Sequence, residues 1–345
     1  MKMTQISLED AVGRPLAHDL TKIDASAGTK GARFKKGQII TEADLPVLRD
    51  MGREHLSILE FDEGETHEDD AAGFLCGALC GENCVASPPE EGRITLRAGC
   101  DGFLCYESGM VHRVNEDPDW ALATMAPHRS VRAGQPVAGF RILPLSMTRD
   151  RVDRALAAAG RIDVKPFLPL RAGLVTTGHE IASGKISDAF RGKFEGKLAS
   201  FGGQLIGQRF VTDDPELIAE AIRGFISEGA DVVVCTGGMS VDADDRTPGG
   251  IGLVAKRAAF RGVPALPGAM LMLSWADSPR GGRDVAVIGA PACVVHDERT
   301  ALDRALPFIF AGMDPAPYVR SWGVGGLCEH CSPCHWPECA YSSGF

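Results

Sequence analysis

Apolar positions follow two different rhythms along the chain. In residues 172–312 short apolar runs alternate with segments whose apolar residues recur at helical spacing. Residues 172–177, 204–211, 231–235 and 284–288 predict strands. The run Asp231-Val-Val-Val-Cys235 has the continuous apolar character of a strand buried on both faces of a parallel sheet. Helices are predicted over 187–201 and 297–305. A further helix follows Asp213 or Asp214 as cap, with Pro215 in its first turn. Leu217, Ile218, Ala221, Ile222 and Phe225 share its apolar face, and Gly229 ends it. This alternation predicts an α/β fold, a three-layer α/β/α domain.

The first 170 residues read differently. Short β pieces (5–8, 15–23) precede a helix capped by Thr41 and carrying Leu45, Leu48 and Met51, then a strand at 55–59. Residues 62–72 are acidic and read as a linker or a helix start. From 87 to 146 Pro and Gly punctuate alternating runs such as 93–96 and 137–143, a β texture. Residues 149–159 predict a connecting helix, with a boundary near 165–171. The expected division is a small α+β region (1–60), a β-rich middle with its linker helix (61–170), the α/β/α domain (171–314) and a Cys-rich tail (315–345).

Composition narrows the function classes. The 345 residues are 44% hydrophobic and 24% charged, the balance of an ordinary folded protein. With 46 acidic against 36 basic residues the net charge is −10, which excludes a general nucleic-acid or anionic-membrane binder. A phosphorylated ligand must therefore be held by local charge, backbone N–H groups or a metal. No apolar run is long enough to span a bilayer and the start lacks the pattern of a signal peptide, so a cytoplasmic setting with reduced thiols is expected.

The chemistry concentrates after the 231–235 strand, in Thr236-Gly237-Gly238-Met239-Ser240-Val241-Asp242-Ala243-Asp244-Asp245-Arg246-Thr247-Pro248. Parallel sheets bind ligands beyond the carboxyl ends of their strands. Two glycines let backbone N–H groups approach an anion, Thr236 and Ser240 add hydroxyls, and Thr247-Pro248 starts a helix with Thr247 as cap. Asp242, Asp244 and Asp245 beside such a cradle suit Mg²⁺ bridging to phosphate. The plainer reading is a Gly-rich loop with acidic surface residues. Gly178 to Lys185 fails as a Walker motif because five residues separate its glycines.

In order along the chain, Gly178-His179-Glu180, Gly184-Lys-Ile-Ser-Asp188, Arg209-Phe-Val-Thr-Asp213-Asp214, Thr236-Gly-Gly-Met-Ser240 with Asp245-Arg-Thr247-Pro248, Val263-Pro-Ala-Leu-Pro267-Gly268 and Val287-Ile-Gly-Ala-Pro291 resemble the molybdopterin-binding domain of molybdopterin adenylyltransferases and molybdenum insertases. His179 and Ala189 depart from that family's usual Asp or Ser and Asn. The resemblance implies molybdopterin and Mg·ATP as ligands, with catalytic roles for Asp213 and Asp245 and Mg²⁺ on Asp242 and Asp245. It implies ligand contacts from Gly178, Glu180, Asp188, Thr236, Gly237, Gly238, Ser240, Thr247, Pro267, Gly268 and Pro291. Lys185, Arg191 and Arg246 are candidates for local positive charge, His179 and His296 for acid–base roles that structural histidines more often lack. Two functions stay open: a transferase acting on molybdopterin, and a non-catalytic carrier delivering cofactor to a molybdoenzyme client. Family analogy implies a homo-oligomer, a trimer.

Nine of the 11 cysteines fall in two clusters. The spacing Cys328-x₂-Cys331-x₂-Cys334-x₄-Cys339 suits Zn²⁺ or an iron–sulfur cluster, with His330 and His335 as alternative nitrogen ligands, against a bland reading as a reduced, unstructured tail. Cys76, Cys80 and Cys84 would share one helical face, but Gly73, Gly77 and Gly81 argue against the helix, and burial is the preferred reading there. The roles of Cys100 and Cys105 stay open, and Cys235 and Cys293 read as core.

Overall fold

The computed structural model describes residues 2–24, 29–60, 62, 64–178, 190–239, 245–336, 339 and 341. The chain divides into two compact units: residues 1–97, 106–125 and 135–163, and residues 98–105, 126–134 and 164–345.

In the first unit the strand Lys2–Ser7 pairs antiparallel with His55–Glu60, and the short helix Leu45–Asp50 buries Leu48 in one cluster with Leu16, Ile40, Leu56 and Ile58. A second sheet runs Cys84–Ala86, Arg93–Ala98, Pro136–Ile142, Trp120–Thr124. Arg93–Ala98 buries alternate residues, as its sequence predicts. The middle region also contains a helix that the β texture conceals, Gly109–Asn115, held by buried Met110 and Val114. The connecting helix forms at Arg149–Ala158.

Two local expectations need correction. A helix does form at Glu68–Leu79 despite Gly73 and Gly77, because Ala71, Ala72, Leu75 and Leu79 are buried. Tertiary packing outweighs the roughly 1 kcal/mol that each glycine costs. It stops at Leu79, so Cys80 and Cys84 lie beyond it and no three-cysteine helical face exists. The helix expected over 297–305 is instead a short one at Cys293–His296 and a longer one at Ala301–Phe310. Thr300 caps the latter by accepting from Leu302 N, while Asp303 accepts from Thr300 N.

The second unit is built on a six-stranded sheet ordered Gln204–Val211, Arg171–Thr177, Val232–Thr236, Val285–Ala290, Met272–Ala276, Arg257–Arg261. The first four are parallel, Met272–Ala276 is antiparallel to Val285–Ala290, and Arg257–Arg261 is antiparallel to Met272–Ala276 in turn. Successive residues of the central strand face opposite layers. Val232 and Val234 pack with Phe190, Phe194 and Leu198 of the helix Phe190–Ala199 and with the Ala301–Phe310 helix. Val233 and Cys235 pack with Ile218, Ile222 and Phe225 of the helix Pro215–Ser227. Helices thus cover both faces, which is why the central strand is apolar throughout. The Arg171–Thr177 strand has as its two neighbours the strands that follow it in sequence, one on either side. The order of strands reverses there, the switch point beyond whose carboxyl end open α/β sheets form a ligand crevice.

Candidate functional site

The register brings the sequence motifs to one end of the sheet. Thr176 pairs with Thr236, and Thr177 with Val211, so Gly178, Thr212-Asp213 and Gly237-Gly238 all emerge at the crevice. A web of hydroxyls braces the strand ends. Thr236 Oγ1 donates to Thr176 Oγ1 (3.4 Å), Gln208 Nε2 donates to the same oxygen (2.9 Å), and Thr247 Oγ1 donates to the Gly237 carbonyl (2.8 Å). Thr177 and Thr247 hydroxyls lie 3.3 Å apart. Thr176, Thr177, Thr236 and Thr247 are all buried.

Only glycine fits the turn. Gly237 has φ +89°, and a Cβ there would stand 2.4 Å from the Thr177 carbonyl oxygen. Gly238 has φ +53°, and a Cβ on it would lie 3.0 Å from Thr247 Oγ1 and 3.6 Å from Asp213 Oδ1 and Thr177 Oγ1. Polar oxygens therefore converge on Gly238, with Asp213 among them.

The choice of helix cap settles which aspartate is available. Asp214 Oδ1 accepts from Glu216 N (2.8 Å) and Leu217 N (3.3 Å), which makes it the cap of Pro215–Ser227 and leaves Asp213 exposed at the crevice. Asp245 Oδ2 is buried with no hydrogen-bond partner among the described residues. An orphaned carboxylate oxygen of that kind calls for a donor or a cation.

Thr247 does not cap its helix as expected. The helix Thr247–Gly252 begins at Thr247 itself, Arg246 takes the cap position without a side-chain bond, and the Thr247 hydroxyl turns to Gly237. Thr177 and Gln208 are site residues that the sequence motifs do not single out. Their signal is position alone, at the carboxyl ends of adjacent strands.

Other candidates separate from this group. Pro291 follows the Val285–Ala290 strand at the same sheet end. The carbonyl of Pro267 accepts from Ala301 N (3.0 Å) and Tyr341 Oη (2.8 Å), so Pro267 and Gly268 anchor a helix start and the tail. Arg191 pairs with Glu195 (3.0 Å) on an exposed helix face, the plain surface reading, and His296 ends its short helix. His179, Glu180, Lys185, Asp188, Ser240, Asp242 and Asp244 lie outside the described residues.

The cysteines sort by environment. Cys84 Sγ donates to Ile162 O (3.0 Å) and Cys80 Sγ to Cys84 O (3.5 Å), bonds that require protonated thiols. Burial pushes the Cys76 thiol up. Cys235 is fully buried and pushed up to about 12, and half-buried Cys293 is pushed up to about 11, also by burial. Both are inert thiols. The tail cysteines line a cavity of about 390 Å³. Among the described residues no group of three or more His, Cys, Asp or Glu is gathered closely enough for a single metal ion.

Known proteins share parts of this arrangement. A family model described as "Probable molybdopterin binding domain" matches residues 173–311, and one described as a domain of unknown function (DUF8806) matches residues 5–60. The chain is 25% identical over 191 residues to a molybdopterin molybdenumtransferase of Synechococcus elongatus, covering 52% of this chain and 45% of that protein. It is 34% identical over 77 residues to a CinA-like protein of Mycobacterium avium, covering 22% of this chain and 18% of that protein. The chain thus spans less than half the length of these curated relatives. Among solved structures, the molybdopterin biosynthesis Mog protein of Mycobacterium ulcerans aligns over 43% of this chain and 99% of its own at 18% identity, with a TM-score of 0.35. The molybdopterin biosynthesis enzyme MoaB of Thermus thermophilus aligns over 41% and 91% at 20% identity, with a TM-score of 0.34. No helix among the described residues is long and apolar enough to cross a membrane.

Proposed function

From the premise that residues 173–311 belong to the molybdopterin-binding domain family, we propose that this chain binds the phosphate of molybdopterin in the crevice at Gly178, Asp213 and Gly237-Gly238, and acts there as a Mg·ATP-dependent transferase of molybdenum-cofactor synthesis. The observation that carries the reading is the pair of available carboxylates. Asp213 is released from capping by Asp214, and Asp245 has a buried oxygen without a partner among the described residues. In an acidic chain, the Asp213 carboxylate beside a phosphate cradle is repulsive unless a cation lies between them.

The residues fit Mg²⁺. Asp213 and Asp245 would hold it, with Asp242 close by in sequence as a further oxygen donor. Bound there, it would neutralise charge on the phosphate oxygens. The rest of the task falls to this chain. The Thr-Gly-Gly turn presents backbone N–H groups, the four threonines hold that turn rigid, and the buried strand ends exclude water from one side of the phosphate.

A carrier is the second reading, favoured by the hydrogen bonding of the Cys-rich tail to the Leu266-Pro267 loop. The two separate in one experiment. Pyrophosphate release from ATP on addition of molybdopterin is expected for the wild type and lost in Asp245→Asn, with pterin binding retained by both. Binding without pyrophosphate release in the wild type leaves the carrier. Absence of pterin binding overturns both.

A further inference from the structure

The tail has little regular structure, yet it is fixed at both ends. Leu327 bridges Leu266, Cys328 N donates to Leu266 O (2.8 Å), and buried Tyr341 donates from its hydroxyl to Pro267 O (2.8 Å). Trp336 packs edge-on to Tyr341, their ring centres 6.3 Å apart. Between these anchors Cys328, Cys331, Cys334 and Cys339 line a single cavity of about 390 Å³, with Arg299 on its wall.

The spacing of the four thiols bears on what they hold. One tetrahedral zinc with sulfurs at ~2.3 Å would draw the thiolates to within roughly 4 Å of one another and leave no room between them. A polynuclear cluster, in which each thiolate binds a different iron, spreads its ligands around a larger body. The x₂–x₂ spacing of the first three cysteines is that of tetranuclear rather than dinuclear iron–sulfur sites.

The charge is also complementary. A cluster held by four thiolates is an anion, and Arg299 lines the same cavity as Cys334. Its Nε is buried with no hydrogen-bond partner among the described residues. Hydrogen bonds to cluster sulfurs stabilise the anionic core. His330 and His335 share the cavity wall, but His330 Nδ1 already lies 3.9 Å from Asp297.

We propose that Cys328, Cys331, Cys334 and Cys339 hold a [4Fe–4S] cluster in this cavity, which organises the tail against the Leu266-Pro267 loop.

The test is iron, zinc and acid-labile sulfide analysis of the full chain purified without oxygen, then reconstituted with Fe²⁺ and sulfide. About four iron and four sulfide per chain are expected, with the visible charge-transfer absorption of thiolate-bound iron. Cys331→Ser should lower both contents at least twofold without changing the far-UV circular dichroism, whereas His330→Ala and His335→Ala should leave them intact. About one zinc per chain without sulfide, or no iron after reconstitution of a chain with native circular dichroism, overturns the assignment. Loss of iron in either histidine variant but not in Cys331→Ser overturns the ligand set.

Discussion

The crevice at Gly237 and the cavity at Cys334 belong to the same compact unit and are built on opposite plans. The crevice is walled by strand ends. Its threonines bond to one another and its glycines occupy backbone conformations other residues resist, so the strand ends and the glycine turn are braced by their own contacts. The cavity is walled by a segment with little hydrogen-bonded secondary structure, positioned by distant anchors at Leu266, Pro267 and Arg299. Strand ends in a sheet are held by the sheet itself. A site made from a tail depends on its anchors and on what it holds.

Breaking the anchors should have the largest effect. Lys197 and Asp303 form a buried ion pair joining the helices Phe190–Ala199 and Ala301–Phe310, and Arg299 Nη1 also donates to Asp303 (3.2 Å). Asp303→Asn leaves Lys197 uncompensated and should lower unfolding stability by about 3–5 kcal/mol in denaturant titration. It should also release the Arg299 wall, so tail metal content should fall with it. A loss under about 1 kcal/mol would show the pair to be dispensable.

Gly237→Ala attacks the crevice alone. The positive φ and the 2.4 Å approach to the Thr177 carbonyl make the methyl group cost roughly 2–4 kcal/mol. Molybdopterin affinity should drop at least tenfold by titration, while tail metal content stays at the wild-type value. Equal loss of both would merge the two sites into one.

Acid should act at His128, beside the cavity. His128 packs against Phe103, Phe308 and Tyr318, and its carbonyl accepts from Arg304. Burial, with Arg304 adding repulsion, lowers its pKa from 6.5 to about 4. Between those values the unfolded chain binds more protons than the folded one, so stability is full above 6.5 and is lost as pH falls toward about 4. His128→Phe should flatten that part of a thermal-unfolding pH profile. An unchanged slope would place the titrating group elsewhere.

The smallest effect should come from Tyr341→Phe. It removes one hydrogen bond to Pro267, worth about 1 kcal/mol, and should speed amide exchange in residues 327–336 roughly fivefold without altering pterin binding.

Much of the large sheet is legible in the sequence. The strand over 204–211 and the helix after Pro215 emerge with the expected starts, because apolar period, Pro and a capping aspartate all agree there. Which of Asp213 and Asp214 caps is not legible, since either spacing is compatible with the motif. Glycines hide the helix over 68–79, because their cost is local while the burial of Leu75 and Leu79 is a tertiary gain. The helix expected over 297–305 starts later because Thr300 and Asp303 cap it only when both side chains fold back on its first turn.

By itself the sequence determined the alternation of strand and helix in residues 172–312, the glycine turn after the central strand and the spacing of the tail thiols. Those are properties of neighbours along the chain. Tertiary structure alone decided that Thr177 and Asp213 meet Gly238, that Gln208 bonds Thr176, that Arg299 and Cys334 line one cavity, and that the tail is tied to Pro267. Each joins residues tens of positions apart. Strand register and side-chain packing fix such contacts, and no local pattern encodes either.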